Sequence, residues 1–157
     1  MNEAEVRQGN VISLAAVNGR KLQGTDDIAG YENAKAAGEL YPRVMKSIAR
    51  LWTEMLTPTQ ITVLLSIVER SLGVGNLHVH TTQQEMIEGE TDDKGEFLFS
   101  PIKMSRGTLI RSISELGEMG IVEIHPKVLN LENGKIANIY IVAAEKLIAG
   151  PYEYVDD

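Results

Sequence analysis

The chain contains no cysteine, which excludes disulfides, thiolate zinc sites and cysteine nucleophiles. Aromatic residues are scarce, with two Phe, one Trp and five Tyr, so a core has to be built from Leu, Ile, Val and Met. No stretch approaches the roughly 18 consecutive apolar residues of a membrane-spanning helix, and Met1-Asn2-Glu3-Ala4-Glu5 lacks the basic start of a secretory signal. A cytoplasmic location without a membrane partner is therefore expected. Glycine-rich phosphate loops, nucleophile elbows and metalloprotease helices are also missing. Hence no catalytic residue, cofactor or small-molecule substrate is expected.

Hydrophobic residues make up 43% of the chain and charged ones 24%, the balance of a globular protein. The 157 residues suffice for one domain with a real core and an extra helix or tail. Net charge is −7, spread unevenly. Residues 1 to 56 hold seven basic and seven acidic side chains, residues 57 to 128 hold six against ten, and residues 129 to 157 hold two against five. Any surface that binds a polyanion has to collect its basic residues on one face, or double a small patch by dimerisation.

The most informative stretch runs from Met104 to Ile124. Ser105 is of the type that caps a helix start, and Gly120 of the type that ends one in the left-handed region. Between them Leu109, Ile113 and Leu116 recur at helical spacing as a buried stripe, with Ser112 and Met119 at its margin. The opposite face carries Gly107, Arg111, Ser114 and Glu118, with Ile110 at its edge, and Ile121-Val122-Glu123-Ile124 then reads as a strand.

This run resembles the recognition helix of winged helix-turn-helix proteins, in which S-R-x-T-[apolar]-x-R-x-[apolar]-x-x-L-x-x-x-G-[apolar]-[apolar] recurs. Within that group it is most similar to plasmid and phage replication proteins, namely RepL-type plasmid initiators and the N-terminal domain of phage replication protein O. The resemblance covers residues from about 42 to about 150. It implies an α+β, mainly α, winged helix-turn-helix fold with an extra N-terminal helix and an insertion before the recognition helix. It also implies sequence-specific binding of double-stranded origin or operator DNA in replication, maintenance or repression. The residues placed on DNA are Arg106, Gly107, Thr108, Arg111 and Ser114, together with the cap Ser105 and, just ahead of the helix, Lys103. Arginine can pair bidentately with guanine, Ser and Thr reach phosphate or base edges, and Gly107 leaves the first turn open to a phosphate. The plain alternative is that both arginines merely solvate an exposed face.

The rest of the chain supports or qualifies that fold. Residues 1 to 40 read as a flexible arm, with a possible strand at Asn10 to Val17 and an Asn18-Gly19 turn. From Pro42, at a first helical position, a helix is expected over 42 to 56 with two apolar stripes: Val44, Ile48, Leu51, Met55 and Met45, Ala49, Trp52, Leu56. Either both stripes pack on the chain's own domain, or Met45, Trp52 and Leu56 form a homodimer interface. Thr57-Pro58-Thr59-Gln60 is a capping box opening a helix that buries Ile61, Leu64, Leu65, Val68 and Leu72 and stops at Gly73. Residues 76 to 80 alternate like a strand, and Thr82-Gln83-Gln84-Glu85 opens a short helix closed by Gly89.

Residues 90 to 103 then interrupt the two helices where a tight turn is usual, with Asp92-Asp93-Lys94-Gly95 as a turn and Glu96 to Phe99 as a strand pairing back. Strands are expected at 121 to 124 and 136 to 142, joined through an Asn133-Gly134 turn, followed by a helix over 143 to 149 and an acidic tail at 151 to 157. In the strand connection Lys127 and Lys135, with Asn130 and Asn133, are further candidates for the DNA backbone, or else ordinary turn polarity. His78, His80 and His125 invite a metal site, yet no carboxylate or cysteine stands at a fitting spacing, so no metal is expected. The cluster Glu88, Glu90, Asp92, Asp93 lacks the ligand order of a calcium loop and reads as a solvated turn. A second function class stays open: a winged-helix module that binds protein as adaptor or inhibitor, motivated by the acidic net charge.

Overall fold

The computed structural model describes residues 12–13 and 27–152. It is a mixed α+β arrangement. Strand β1 (Ile12–Ser13) is followed by helix α1 (Asp27–Ser47), which continues into a π-helical turn at Ile48–Trp52. Helix α2 (Pro58–Arg70), a 3-10 turn at Leu72–Val74, strand β2 (His78–Thr81) and helix α3 (Gln83–Glu88) come next. The short strands β3 (Glu90–Thr91) and β4 (Phe97–Phe99) form a ribbon of their own. Helix α4 (Arg106–Glu118), strands β5 (Val122–Leu129) and β6 (Ile136–Val142) and helix α5 (Ala144–Ala149) complete the order. The larger sheet runs β1-β5-β6-β2, with β6 antiparallel to both β2 and β5 and β1 parallel to β5.

Caps explain where the helices start. Thr57 Oγ1 accepts from Gln60 N–H and the Gln60 side chain accepts from Thr57 N–H, a complete capping box with Pro58 at the first position. Thr82 and Glu85 repeat that arrangement at α3. Beneath them lies one core: Val63, Leu64, Ile67 and Val68 of α2 pack with Leu109, Ile113 and Leu116 of α4, Tyr140 and Val142 of β6 and Leu147 of α5. Compared with the expected face of α2, Ile61 and Leu65 are only half-buried, and Val63 and Ile67 take their place. Burial of Gln60 explains the rotation, since its side chain crosses to α4 and turns the 60-63-64-67 stripe inward.

Three expectations need correction. The flexible arm over 1 to 40 does not hold for residues 27 to 40, which are helical, and α1 runs through Pro42 instead of starting there. The ring has no N–H for the carbonyl four residues back. That carbonyl belongs to Gly38, an exposed residue, where water can reach it in place of the missing bond. Ala37, wholly buried, anchors this part of the helix. The strand expected at 10 to 17 is observed at Ile12–Ser13; its other positions and the Asn18-Gly19 turn lie outside the described residues, as does the tail beyond Tyr152.

Second, Trp52 and Leu56 are not a dimer interface. They are buried at 4% and 5% exposure in the chain's own core, and Trp52 Nε1 donates to Leu147 O over 2.8 Å. Met45 is half-buried against the same core. The π turn is the reason. Its i→i+5 bonding inserts an extra residue and rotates everything after it, so Ile48, Trp52 and Leu56 face inward while Ala49 and Met55 face out. Third, β5 extends beyond the expected 121 to 124, through Pro126 to Leu129, because a register shift between His125 and Val128 accommodates the proline.

Among the described residues no helix is long and apolar enough to cross a membrane.

Candidate nucleic-acid interface

Helix α4 is held by its inner side. Leu109 and Leu116 are wholly buried, Ile113 and Ser112 nearly so, and Glu115 Oε2 accepts from Gln60 Nε2 over 2.9 Å. With the inner face fixed, helical geometry turns the other side to solvent: Arg106, Gly107, Ile110, Arg111, Ser114 and Glu118 are all exposed. At the helix start Ser105 Oγ accepts from Thr108 N–H and lies 2.9 Å from Thr108 Oγ1. Ser105 is exposed and Thr108 half-buried, so this hydroxyl pair borders the open surface while it shapes the first turn. The chain ahead presents Lys103, also exposed.

Arg106 donates through Nη2 to Gln84 Oε1 on α3, and Gln84 Nε2 donates to Glu88. Sequence reading missed Gln84. Its only signal was its place inside the capping box that opens α3. Among the described residues Arg111, Lys103 and Lys127 enter no ion pair, while several carboxylates are turned to internal work: Glu85 to Lys135, Glu90 to Arg70, Glu69 to Tyr41 and Glu115 to Gln60. This distribution leaves the outer face of α4 more basic than the net charge suggests, with Glu88 and Glu118 as its acidic neighbours.

The insertion leaves and rejoins the chain at the end of α3. Ile102 N–H donates to Met86 O over 3.0 Å and Ile102 is buried, so the chain returns to the end of α3 at the point it left. Residues 93 to 98 are exposed, and the acidic turn closes on itself, with Asp92 Oδ1 accepting from the N–H groups of Lys94 and Glu96. The base of the ribbon is fastened by Arg70. Its guanidinium, with a side chain 1% exposed, lies 2.6 Å from Glu90 Oε1 and 4.8 Å from the centre of the Phe99 ring.

Of the two lysines expected in the strand connection, one is available, and it lies within β5. Lys127 is exposed and has a positive φ of 52°, with its N–H on Asn138 Oδ1. Lys135 is corrected: its Nζ lies 2.5 Å from Glu85 Oε1, so the ammonium fastens the strand connection to α3 and is spent as a free cation. The environment of Glu85 reflects this. Burial raises its pKa, and the Lys135 ammonium and the Thr82 donors outweigh burial to hold it below the ordinary carboxylate value. Asn130 and Asn133 accept from the N–H groups of Glu132 and Lys135 and so serve the turn.

The histidines share one sheet face, because His80 and His125 both stand opposite Ile139. His80 Nε2 bonds to Val128 O at 2.8 Å, and His125 Nε2 lies 3.2 Å from Glu123 Oε1 without hydrogen-bond alignment. Burial and then the neighbouring His80 lower the His78 pKa, favouring its neutral form. No group of three or more His, Asp or Glu able to hold a metal occurs among the described residues. Comparison with protein-family models, with curated proteins and with solved structures found no match for the chain.

Proposed function

We propose that the chain is a winged-helix protein that binds double-stranded DNA sequence-specifically, of plasmid or phage type, acting in replication initiation, maintenance or repression. The single observation carrying this reading is the two-sided character of α4, whose apolar side is sealed on α2 while Arg106 and Arg111 stand exposed on the other. Apart from the inserted β3–β4 ribbon between α3 and α4, the order from α2 to β6 is helix, strand, helix, helix, strand, strand, with β2 and β5 flanking β6, which supports it further.

In this reading the first turns of α4 enter the major groove. Arg106 and Arg111 address guanine edges, Ile110 meets a thymine methyl, and Ser105, Thr108 and Ser114 address phosphate or base edges. Gly107 admits the sugar-phosphate backbone, and Lys103 and Lys127 neutralise phosphates. Selection of bound oligonucleotides from a random pool, followed by gel-shift titration at two salt concentrations, tests the proposal. Arg106→Ala and Arg111→Ala each lower specific affinity about tenfold to a hundredfold. Lys103→Ala weakens all sequences alike and reduces the salt slope by about one.

A second reading, a protein-binding module, is favoured by the net charge of −7 and the exposed Phe97 and Leu98. It predicts no salt-dependent, sequence-selective shift in the same titration.

A further inference from the structure

Strand β4 stands out on the surface. Among the described residues it pairs with β3 alone, and its Phe97 and Leu98 are 59% and 62% exposed. Natural edge strands are commonly blunted with charge or proline. Here Phe97-Leu98-Phe99 carries neither, whereas β3 begins with Glu90 and is followed by Asp92. The ribbon is also held firmly at its base, by the Arg70–Glu90 pair and by Gly89, where an added Cβ would lie 2.7 Å from Phe99 O.

We propose that the free edge of β4 pairs antiparallel with β4 of a second copy, with a two-fold axis at Leu98, and that this is the homodimer contact. Charge selects a second copy as the occupant. One end of β4 bears the turn Asp92, Asp93, Lys94 and Glu96, which is acidic on balance with three carboxylates against one ammonium, and beyond the other end lies Lys103, exposed and without an ion pair among the described residues. Antiparallel pairing brings the acidic end of each copy toward the Lys103 end of the other, an isologous arrangement that closes with two copies. It also sets Phe97 of one copy opposite Phe99 of the other and Leu98 opposite Leu98, cross-strand pairs that stabilise sheets. A strand of three residues buries less than the roughly 800 Å² per partner of stable complexes, so the free dimer is weak. The contact stands independently of the DNA-binding reading, to which it adds a two-fold pair of α4 helices.

The absence of cysteine makes the test clean. Residues directly opposite in an antiparallel pair lie about 4.5–5.5 Å apart at Cα, inside the disulfide range. Under mild oxidation without DNA, the full chain carrying Leu98→Cys forms a disulfide dimer at least about tenfold faster than one carrying Val74→Cys, an exposed site in the Leu72–Val74 turn and not on the ribbon. Adding Phe97→Asp to Leu98→Cys removes the excess. Equal rates at the two positions overturn the proposal. So does a thiol in the Leu98→Cys chain that fails to cross-link but is protected by duplex DNA, which would place the ribbon in a groove. Rapid cross-linking in a chain that shifts no DNA keeps the interface and removes the DNA-binding reading instead.

Discussion

Arg70 and Glu90 form an ion pair at 2.6 Å in which the two sides are unequally buried, with 1% of the arginine side chain exposed against 30% of the glutamate. The guanidinium also donates to Ser66 Oγ and Glu85 O, so it links α2, α3 and the ribbon. The inequality predicts an unequal response to removal of either partner. Glu90→Ala strands a buried cation and costs about 3 kcal/mol or more. Arg70→Met leaves a carboxylate that water can reach, and costs about half as much. Urea unfolding of the two variants checks the order.

Gly107 and Gly89 respond to alanine in opposite directions. An added Cβ at Gly107 meets nothing within 4 Å, and the residue is helical, so Gly107→Ala raises stability by up to about 1 kcal/mol. On the DNA-binding reading proposed above, the same methyl covers the backbone offered to phosphate, and affinity for the selected duplex falls several-fold. Gly89 has φ +79° and would press a Cβ against Phe99 O, so Gly89→Ala costs about 1 to 3 kcal/mol from the backbone alone. Thermal melts and gel shifts on both variants separate the effects.

Acid titrates two named contacts. The Glu85 carboxyl is held below its ordinary value of 4.5, so its stabilisation is complete above that value and is lost as pH falls through the folded one. Lys135→Ala removes much of that shift, and its melting temperature converges on that of the parent in the acid limb. His78 is lowered from 6.5, so the unfolded chain takes up its proton first and stability declines as pH falls from above 6.5 toward the folded value. His78→Gln flattens this slope. Melting curves from about pH 8 down to about pH 3 on parent and variants give both slopes, since that window spans the ordinary carboxylate and imidazole values.

Trp52→Phe loses the 2.8 Å bond to Leu147 O in the core and costs about 1 to 3 kcal/mol. Sedimentation of this variant matches the parent at every concentration, because the indole faces its own chain. A change in association state would restore Trp52 to an interface.

Much of the architecture was legible because local chemistry and burial agreed. The Thr57–Gln60 and Thr82–Glu85 boxes and the Ser105 cap mark three helix starts, and Ile136 to Val142 is observed as the sequence suggests. The outer face of α4 follows from spacing alone. What escaped needed distant partners. Lys135 resembles any turn lysine until Glu85 arrives from α3, and Gln84 gains meaning only from Arg106. Residues 27 to 40 were hidden by Pro42 and two glycines that ordinarily stop a helix, while the π turn departs from regular helical spacing and so buries Trp52 beside Ile48, where sequence spacing assigned the two to different stripes.

Ile102 and Met86 meet as though the chain between them had been spliced out. Lengthening, trimming or recolouring the exposed tip of that excursion, beyond the Glu90 and Phe99 anchors, leaves the helix pair in place, because the tether points stay the same. The scaffold thus has a socket at which attachments can be exchanged independently of whatever α4 touches, and two duties of one small chain can vary without interfering.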